Sequence, residues 1–240
     1  MSTIPEHIDP IGHAIKDFYE NDISREILVE SDIAEDDTIS SKYFFRSFEN
    51  MPKLEQTALK KCKGKILDVG AAAGCHSLYL QESGLNTSSL EISKLSCDVM
   101  KERGIKNVFP CDYFMFKDEK FDTLLFLMNG IGIAGTLKGL EDLLLKASSL
   151  LNKGGILVFD SSDIDYMYYD EDGSKLVNLN STYYGELSYK MKYSSIIGNP
   201  FKWLFIDINT LLPIAGKFGF KTDLVESGEH YNYLGMLTKK

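Results

Sequence analysis

From Lys65 to about Asp163, short apolar runs alternate with stretches of helical spacing. KILDV is followed by SLYLQ, SLEI by LSCDVMKER and FDTLLFL by LEDLLLKASSLL, with VFPCD and ILVFD as further strand-like runs. Strands and helices at this interval predict an α/β fold with a parallel sheet covered on both faces. Upstream, Ile11 to Tyr19 and Ser47 to Lys61 have helical spacing, while the acidic DIAEDD segment between them reads as loop. Residues 1–62 are therefore read as an N-terminal helical cap and 63–240 as the main domain.

After Asp163 the period changes. Leu187, Tyr189, Met191 and Tyr193 alternate with Glu186, Ser188, Lys190 and Lys192, and an Ile-Gly-Asn-Pro turn follows. That pattern predicts an antiparallel hairpin within an insertion, 164–208. Thr210 to Phe218 reads as a helix stopped by Gly219, with strands at Phe220–Glu226 and Tyr231–Thr238 closing the chain.

The 240 residues have an ordinary globular composition, 44% hydrophobic and 25% charged, which argues against a disordered or fibrous chain. Against 35 Asp+Glu stand 26 Lys+Arg, a formal charge of −9. Phosphate-backbone binding needs clustered cations, so a nucleic-acid partner is disfavoured. The one tight basic cluster, Lys60, Lys61, Lys63 and Lys65, suits a helix C-terminus. Four scattered cysteines without metal spacing fit a reduced, metal-free chain. With neither a signal-peptide pattern nor an apolar span, a cytoplasmic protein without a membrane partner is expected.

The strongest local signal is Ile66-Leu67-Asp68-Val69-Gly70-Ala71-Ala72-Ala73-Gly74, a strand running into small residues and then a helix. Small residues admit a ligand to the backbone, and amides at the helix N-terminus favour carboxyl or anionic groups. Glu91 closes the second strand, where an acid can accept from two ribose hydroxyls. A nicotinamide fingerprint starting at Gly70 would need glycines where Ala72 and Cys75 stand, so that reading loses two of its three glycines.

With these residues in place, the chain resembles the class I S-adenosylmethionine-dependent methyltransferases, from about Lys65 to the C-terminus. Asp68, Gly70 and Gly74 match the acid and outer glycines of the family's first motif, with Ala72 in place of the middle glycine. Glu91 corresponds to the ribose acid and Asp112 to the acid near the adenine amine. Phe121-Asp122-Thr123 resembles the start of the fourth strand, LLNKGGILVFD the turn into the fifth, and Gly219-Phe220 the step into the last two. The resemblance implies a Rossmann-like doubly wound sheet in the order 3-2-1-4-5-7-6 with strand seven antiparallel. It also implies S-adenosyl-L-methionine as donor and S-adenosyl-L-homocysteine as product.

By the same resemblance, the donor-binding residues are Asp68, Gly70, Ala71, Ala72, Gly74 and His76 at the turn. Glu91, Ile92, Asp112, Tyr113, Asn129 and Gly130 extend the set along the later strands. Arg46, in the cap, could pair with the methionine carboxylate through two parallel hydrogen bonds, and equally well serve a surface ion pair. The catalytic candidates are Asn129, Tyr184 and His13, none singled out as a base, and no metal is required. Seven of the thirteen tyrosines lie between Tyr166 and Tyr193, suited either to an aromatic lid over a small acceptor or to the interface of a homodimer. The expected reaction is methyl transfer to an oxygen or nitrogen, less readily a carbon, of a small molecule, by a monomer or homodimer. The alternatives are a protein or RNA methyltransferase, or a donor-binding protein without turnover.

Overall fold

The computed structural model describes residues 3–33, 35–117, 119–169, 172, 174 and 183–240. Part of the expected insertion, 170–171, 173 and 175–182, lies outside the described residues, as do residues 1 and 2 of the cap.

Strands β3 (Lys65–Val69), β4 (Asn86–Glu91), β5 (Val108–Pro110), β6 (Phe121–Phe126), β7 (Leu151–Ser162), β11 (Phe220–Ser227) and β12 (Asn232–Lys239) form the main sheet. Their spatial order is β11-β12-β7-β6-β3-β4-β5. Strand β12 runs antiparallel to both β7 and β11, whereas β7, β6, β3, β4 and β5 are parallel to one another. This is the doubly wound 3-2-1-4-5-7-6 arrangement expected from the sequence.

Alternation along the central strands divides the core between two faces. Leu67, Leu124, Phe126, Leu157 and Phe159 pack with helices α5 (Leu137–Leu150) and α6 (Ile208–Lys217). Ile66, Leu125, Ile156 and Val158 pack on the other side with α2 (Lys53–Lys61) and Leu80 of α3 (Cys75–Glu82). Pro52 delays the start of α2 relative to the expected Ser47, because the residue before a proline is held extended: Met51 has φ −77° and ψ 146°.

The N-terminal region holds its expected helices, α1 (Pro10–Asn21) and α2, but also two strands that the reading of a helical cap had not included. Strands β1 (Glu26–Ser31) and β2 (Asp37–Ser40) form a hairpin whose tip includes part of the acidic DIAEDD loop. Strand β1 also pairs with β8 (Glu186–Tyr193) of the insertion, Val29 lying opposite Met191. With β9 (Ile196–Ile197) and β10 (Phe201–Leu204), they complete a five-stranded antiparallel cap sheet. The pairing partner of β1 lies some 160 residues away in sequence, so only a short alternation marked this strand locally.

The cap is anchored to the turn after β3. Ile27 and Tyr193 from the cap sheet, Ala14 and Ile15 from α1, and Val99 from α4 (Lys94–Glu102) pack around Ala73. Among the described residues, no helix is long and apolar enough to cross a membrane.

Candidate active site

The turn after β3 starts with Gly70 at φ +72°, passes through Ala72 at φ +50° and reaches Gly74 at φ +80°. Its two glycines do different work. A Cβ built on Gly70 would meet nothing within 4 Å, so one face of the backbone there is open. A Cβ on Gly74 would come within 2.2 Å of the terminal Ile105 Cδ1, which would have to shift, and its φ of +80° itself favours glycine. Arg103 reinforces that arrangement by donating to the Ala73 carbonyl while lying over the Phe45 ring.

Asp68 is directed away from the open face. Its carboxylate accepts a 2.6 Å hydrogen bond from Ser77 Oγ, which in turn accepts one from Ser89 Oγ within the buried interior. Burial raises the Asp68 pKa against the lowering effects of His76 and Ser77. The acid of the first motif therefore braces β3 against α3 and β4.

Glu91 is buried at the end of β4, with Oε2 accepting from Ala72 N and Oε1 from Ser93 N, each at 2.8 Å. Each oxygen retains lone-pair capacity for a further donor. Burial raises its pKa, opposed by the backbone donors at Ser93 and Ala72. Residues beside Glu91 are themselves covered: Ile4 N donates to Ile92 O, and Asp9 accepts from Ser93 Oγ. This N-terminal strap left no periodic signal in the sequence.

Farther along the strand ends, Asp112 accepts from Phe114 N and remains partly exposed. The Tyr113 side chain instead enters the core, where its hydroxyl donates to Leu143 O. The structure thus separates the candidates Asp112 and Tyr113: only the former reaches the surface of the site.

Arg46 is engaged within the protein, although its Nε has no hydrogen-bond partner. Its guanidinium pairs with Glu55, donates to Tyr43 O at 2.6 Å and lies 3.9 Å above the Tyr43 ring. His76, also expected beside the donor, has its Nε2 atom 2.7 Å from the same Glu55 oxygen. Burial works against the charged imidazole, but Cys75, Glu55 and Asp68 outweigh it and raise the His76 pKa well above the ordinary value. Burial also opposes ionisation of Glu55, yet His76 and Arg46 reverse the balance and lower its pKa.

The other side of the site is the cavity of about 590 Å³ between the cap sheet and the end of β6. Tyr189, Met191, Trp203 and Phe205 from the cap face Met128 and Asn129 across it. Glu35, Asp36 and Asp37 contribute three exposed acids to its rim. Trp203 lies against Gly132, where a Cβ would approach its Nε1 atom to 2.2 Å. Met128, Met191 and Ile39 from the cavity wall belong to the same packed cluster as Ala72 and Ala73, so the cavity and the turn after β3 adjoin.

Asn129 takes a left-handed conformation, φ +53°. Its backbone N–H donates to Asp160 Oδ2 at 3.0 Å and its Nδ2 donates to Leu204 O at 3.2 Å. The remaining oxygens of this pair, Asn129 Oδ1 and Asp160 Oδ1, have no hydrogen-bond partner. Burial raises the Asp160 pKa to about 6. Sequence reading missed Asp160, although an acid ending ILVFD was its available signal. Gly130 packs near Phe126 and the Val69 carbonyl, placing this loop beside the end of β3.

The two other catalytic candidates lie outside this wall. His13 Nε2 is 3.0 Å from Glu6 O, and Tyr184 OH donates to Asp163 Oδ1 at 2.8 Å. Neither lines the cavity. Among the described residues, no group of three His, Cys, Asp or Glu side chains is placed to hold a metal ion.

Comparison with known proteins places this geometry among methyltransferases. A crystal structure of a SAM-dependent methyltransferase from Bacteroides fragilis, in complex with S-adenosyl-L-homocysteine, matches 99% of this chain and 98% of its own, at 44% identity and a TM-score of 0.93. The CcbJ methyltransferase from Streptomyces caelestis shares the fold at 13% identity, covering 96% of this chain and 98% of its own with a TM-score of 0.62. CalS10, an amino pentose methyltransferase from Micromonospora echinaspora, shares it at 15% identity, covering 80% and 94% with a TM-score of 0.54. No protein-family model matches the chain, and no curated protein matches it.

Proposed function

Because this chain belongs to the S-adenosylmethionine-dependent methyltransferases, we propose that it transfers a methyl group to an oxygen or nitrogen, less readily a carbon, of a small molecule held beneath the cap sheet. The observation that carries this reading is the junction of two spaces: the open face above Gly70 and the cavity beside Asn129 adjoin through Ala72, Met128 and Met191. A cavity of about 590 Å³ is of small-molecule size, which favours this reading over a macromolecular acceptor.

When bound, the donor supplies a methyl group already activated by a sulfonium. The protein's work is therefore binding, alignment and exclusion of water. Gly70 leaves the backbone accessible, and the start of α3 offers amides to the donor's carboxylate. Glu91 receives ribose hydroxyls with its remaining lone pairs, and Asp112 serves the adenine side. Asn129, held by Asp160 through its backbone N–H, orients the acceptor. Cap residues Trp203, Tyr189 and Phe205 shield the methyl group in transit from water.

Calorimetric titration with S-adenosylmethionine and S-adenosylhomocysteine, with NADH as control, tests the donor half. Micromolar binding of the first two alone is expected, and absence of binding by both overturns the reading. Formation of S-adenosylhomocysteine only in the presence of an acceptor tests transfer itself.

A further inference from the structure

The cavity beside Asn129 has a chemical polarity as well as a size. Its rim carries Glu35, Asp36 and Asp37, while no lysine or arginine among the described residues lines it. Its walls present the rings of Tyr189, Trp203 and Phe205. Carboxylates and aromatic faces attract the same kind of guest, a cation with an apolar body.

Asn129 adds direction. With Nδ2 used by Leu204 O, its unpartnered atom is the acceptor Oδ1, and neighbouring Asp160 also retains an acceptor oxygen. Two unpaired acceptors call for N–H or O–H donors. The charge of the rim decides between them: a neutral alcohol gains little from three carboxylates, and an anionic acceptor is repelled.

We propose that the acceptor is a small primary or secondary amine, entering as its ammonium form with an apolar or aromatic body against Trp203 and Tyr189, and that the reaction is N-methylation. This rests on the methyltransferase reading above and narrows its acceptor. The ammonium releases one proton to solvent by way of the rim carboxylates, which frees the nitrogen lone pair. That lone pair forms the N–C bond as the C–S bond breaks, and the electrons of the broken bond remain on sulfur as a neutral thioether. The product departs as a methylated ammonium ion.

Trp203 is the only tryptophan in the chain, so its emission reports occupation of this cavity. The test titrates the full chain, with and without S-adenosylhomocysteine, with 2-phenylethylamine and with 2-phenylethanol. Calorimetry and Trp203 emission are read together. The amine is expected to bind at least about tenfold more tightly than the alcohol and to change the emission. In the double variant Glu35→Gln/Asp36→Asn, at two exposed sites, the gap should shrink several-fold while affinity for S-adenosylhomocysteine stays constant.

Equal affinities, no amine binding up to about 10 mM, or a gap untouched by the double variant overturns the inference. Failure of S-adenosylhomocysteine to bind instead overturns the methyltransferase reading, and the amine-to-alcohol ratio on the free chain still decides the preference of the cavity.

Discussion

Glu55 Oε2 lies 2.7 Å from His76 Nε2 and receives the Arg46 guanidinium at the same oxygen, so one buried carboxylate serves two cationic partners. The three side chains join the segment before α2 to the first turn of α3, directly after the donor turn.

Replacing Glu55 with Gln should therefore leave buried charge uncompensated and cost about 3 kcal/mol at neutral pH, measured by urea unfolding. The pH dependence has two limbs. The raised His76 pKa stabilises the fold fully below its ordinary value of 6.5, and that contribution is lost as pH rises through the higher native value. The lowered Glu55 pKa stabilises above 4.5, and that contribution is lost as pH falls through the native value. In the Gln variant both limbs should flatten; a variant with unchanged stability and pH profile would contradict the assigned network.

The two glycines of the donor turn should separate under substitution. Gly74→Ala meets Ile105 at 2.2 Å in a left-handed conformation, and a loss of about 2 kcal/mol is expected. Gly70→Ala has room within the protein but still carries φ +72°, so about 1 kcal/mol of strain is expected. Its larger effect should be on S-adenosylhomocysteine affinity, because the added methyl enters the open face. Thermal unfolding and calorimetry together check the contrast.

For Glu91→Ala, donor affinity should fall about tenfold or more, with loss of the hydrogen bonds from Ala72 N and Ser93 N adding about 1–2 kcal/mol of destabilisation. Unchanged S-adenosylhomocysteine affinity in the folded variant would remove Glu91 from the donor site.

Asp160→Asn is expected to stabilise the protein while lowering its turnover. Burial holds the native Asp160 pKa at about 6 against an ordinary 3.8, so the native state binds this proton more tightly than the unfolded chain. Its destabilising effect is absent below about pH 4, grows as pH rises towards 6 and is complete above it. Partial solvent access limits the gain from Asn to about 1–2 kcal/mol at pH 7. Unfolding at pH 4 and pH 7 checks that the gain appears only at the higher pH.

The sheet was legible because KILDV, FDTLLFL and ILVFD are apolar on both faces, the mark of strands covered by helices on each side. The donor turn was legible because its signal is contiguous. Arg46 and Asp160 show where sequence reading stops. Arg46 has the right chemistry for a carboxylate, but its partner is Glu55, nine residues away and invisible to motif spacing. Asp160 ends a strand like many unremarkable acids, and only its contact with Asn129 beside the cavity gives it a role. The cap sheet was legible in part: alternation around Met191 marked β8, but its pairing with Val29 of β1 left no local signal.

That pairing has a consequence for redesign. The cap that walls the cavity beside Asn129 is woven from residues 26–40 and 186–204, with strands β3 to β7 between them. No single contiguous cassette encodes this cavity, so grafting the insertion alone onto a related scaffold would deliver β8 without its neighbour β1 and leave an open strand edge. Swaps that exchange both segments together keep the ladder intact, and libraries built that way should retain folded members where single-segment grafts aggregate.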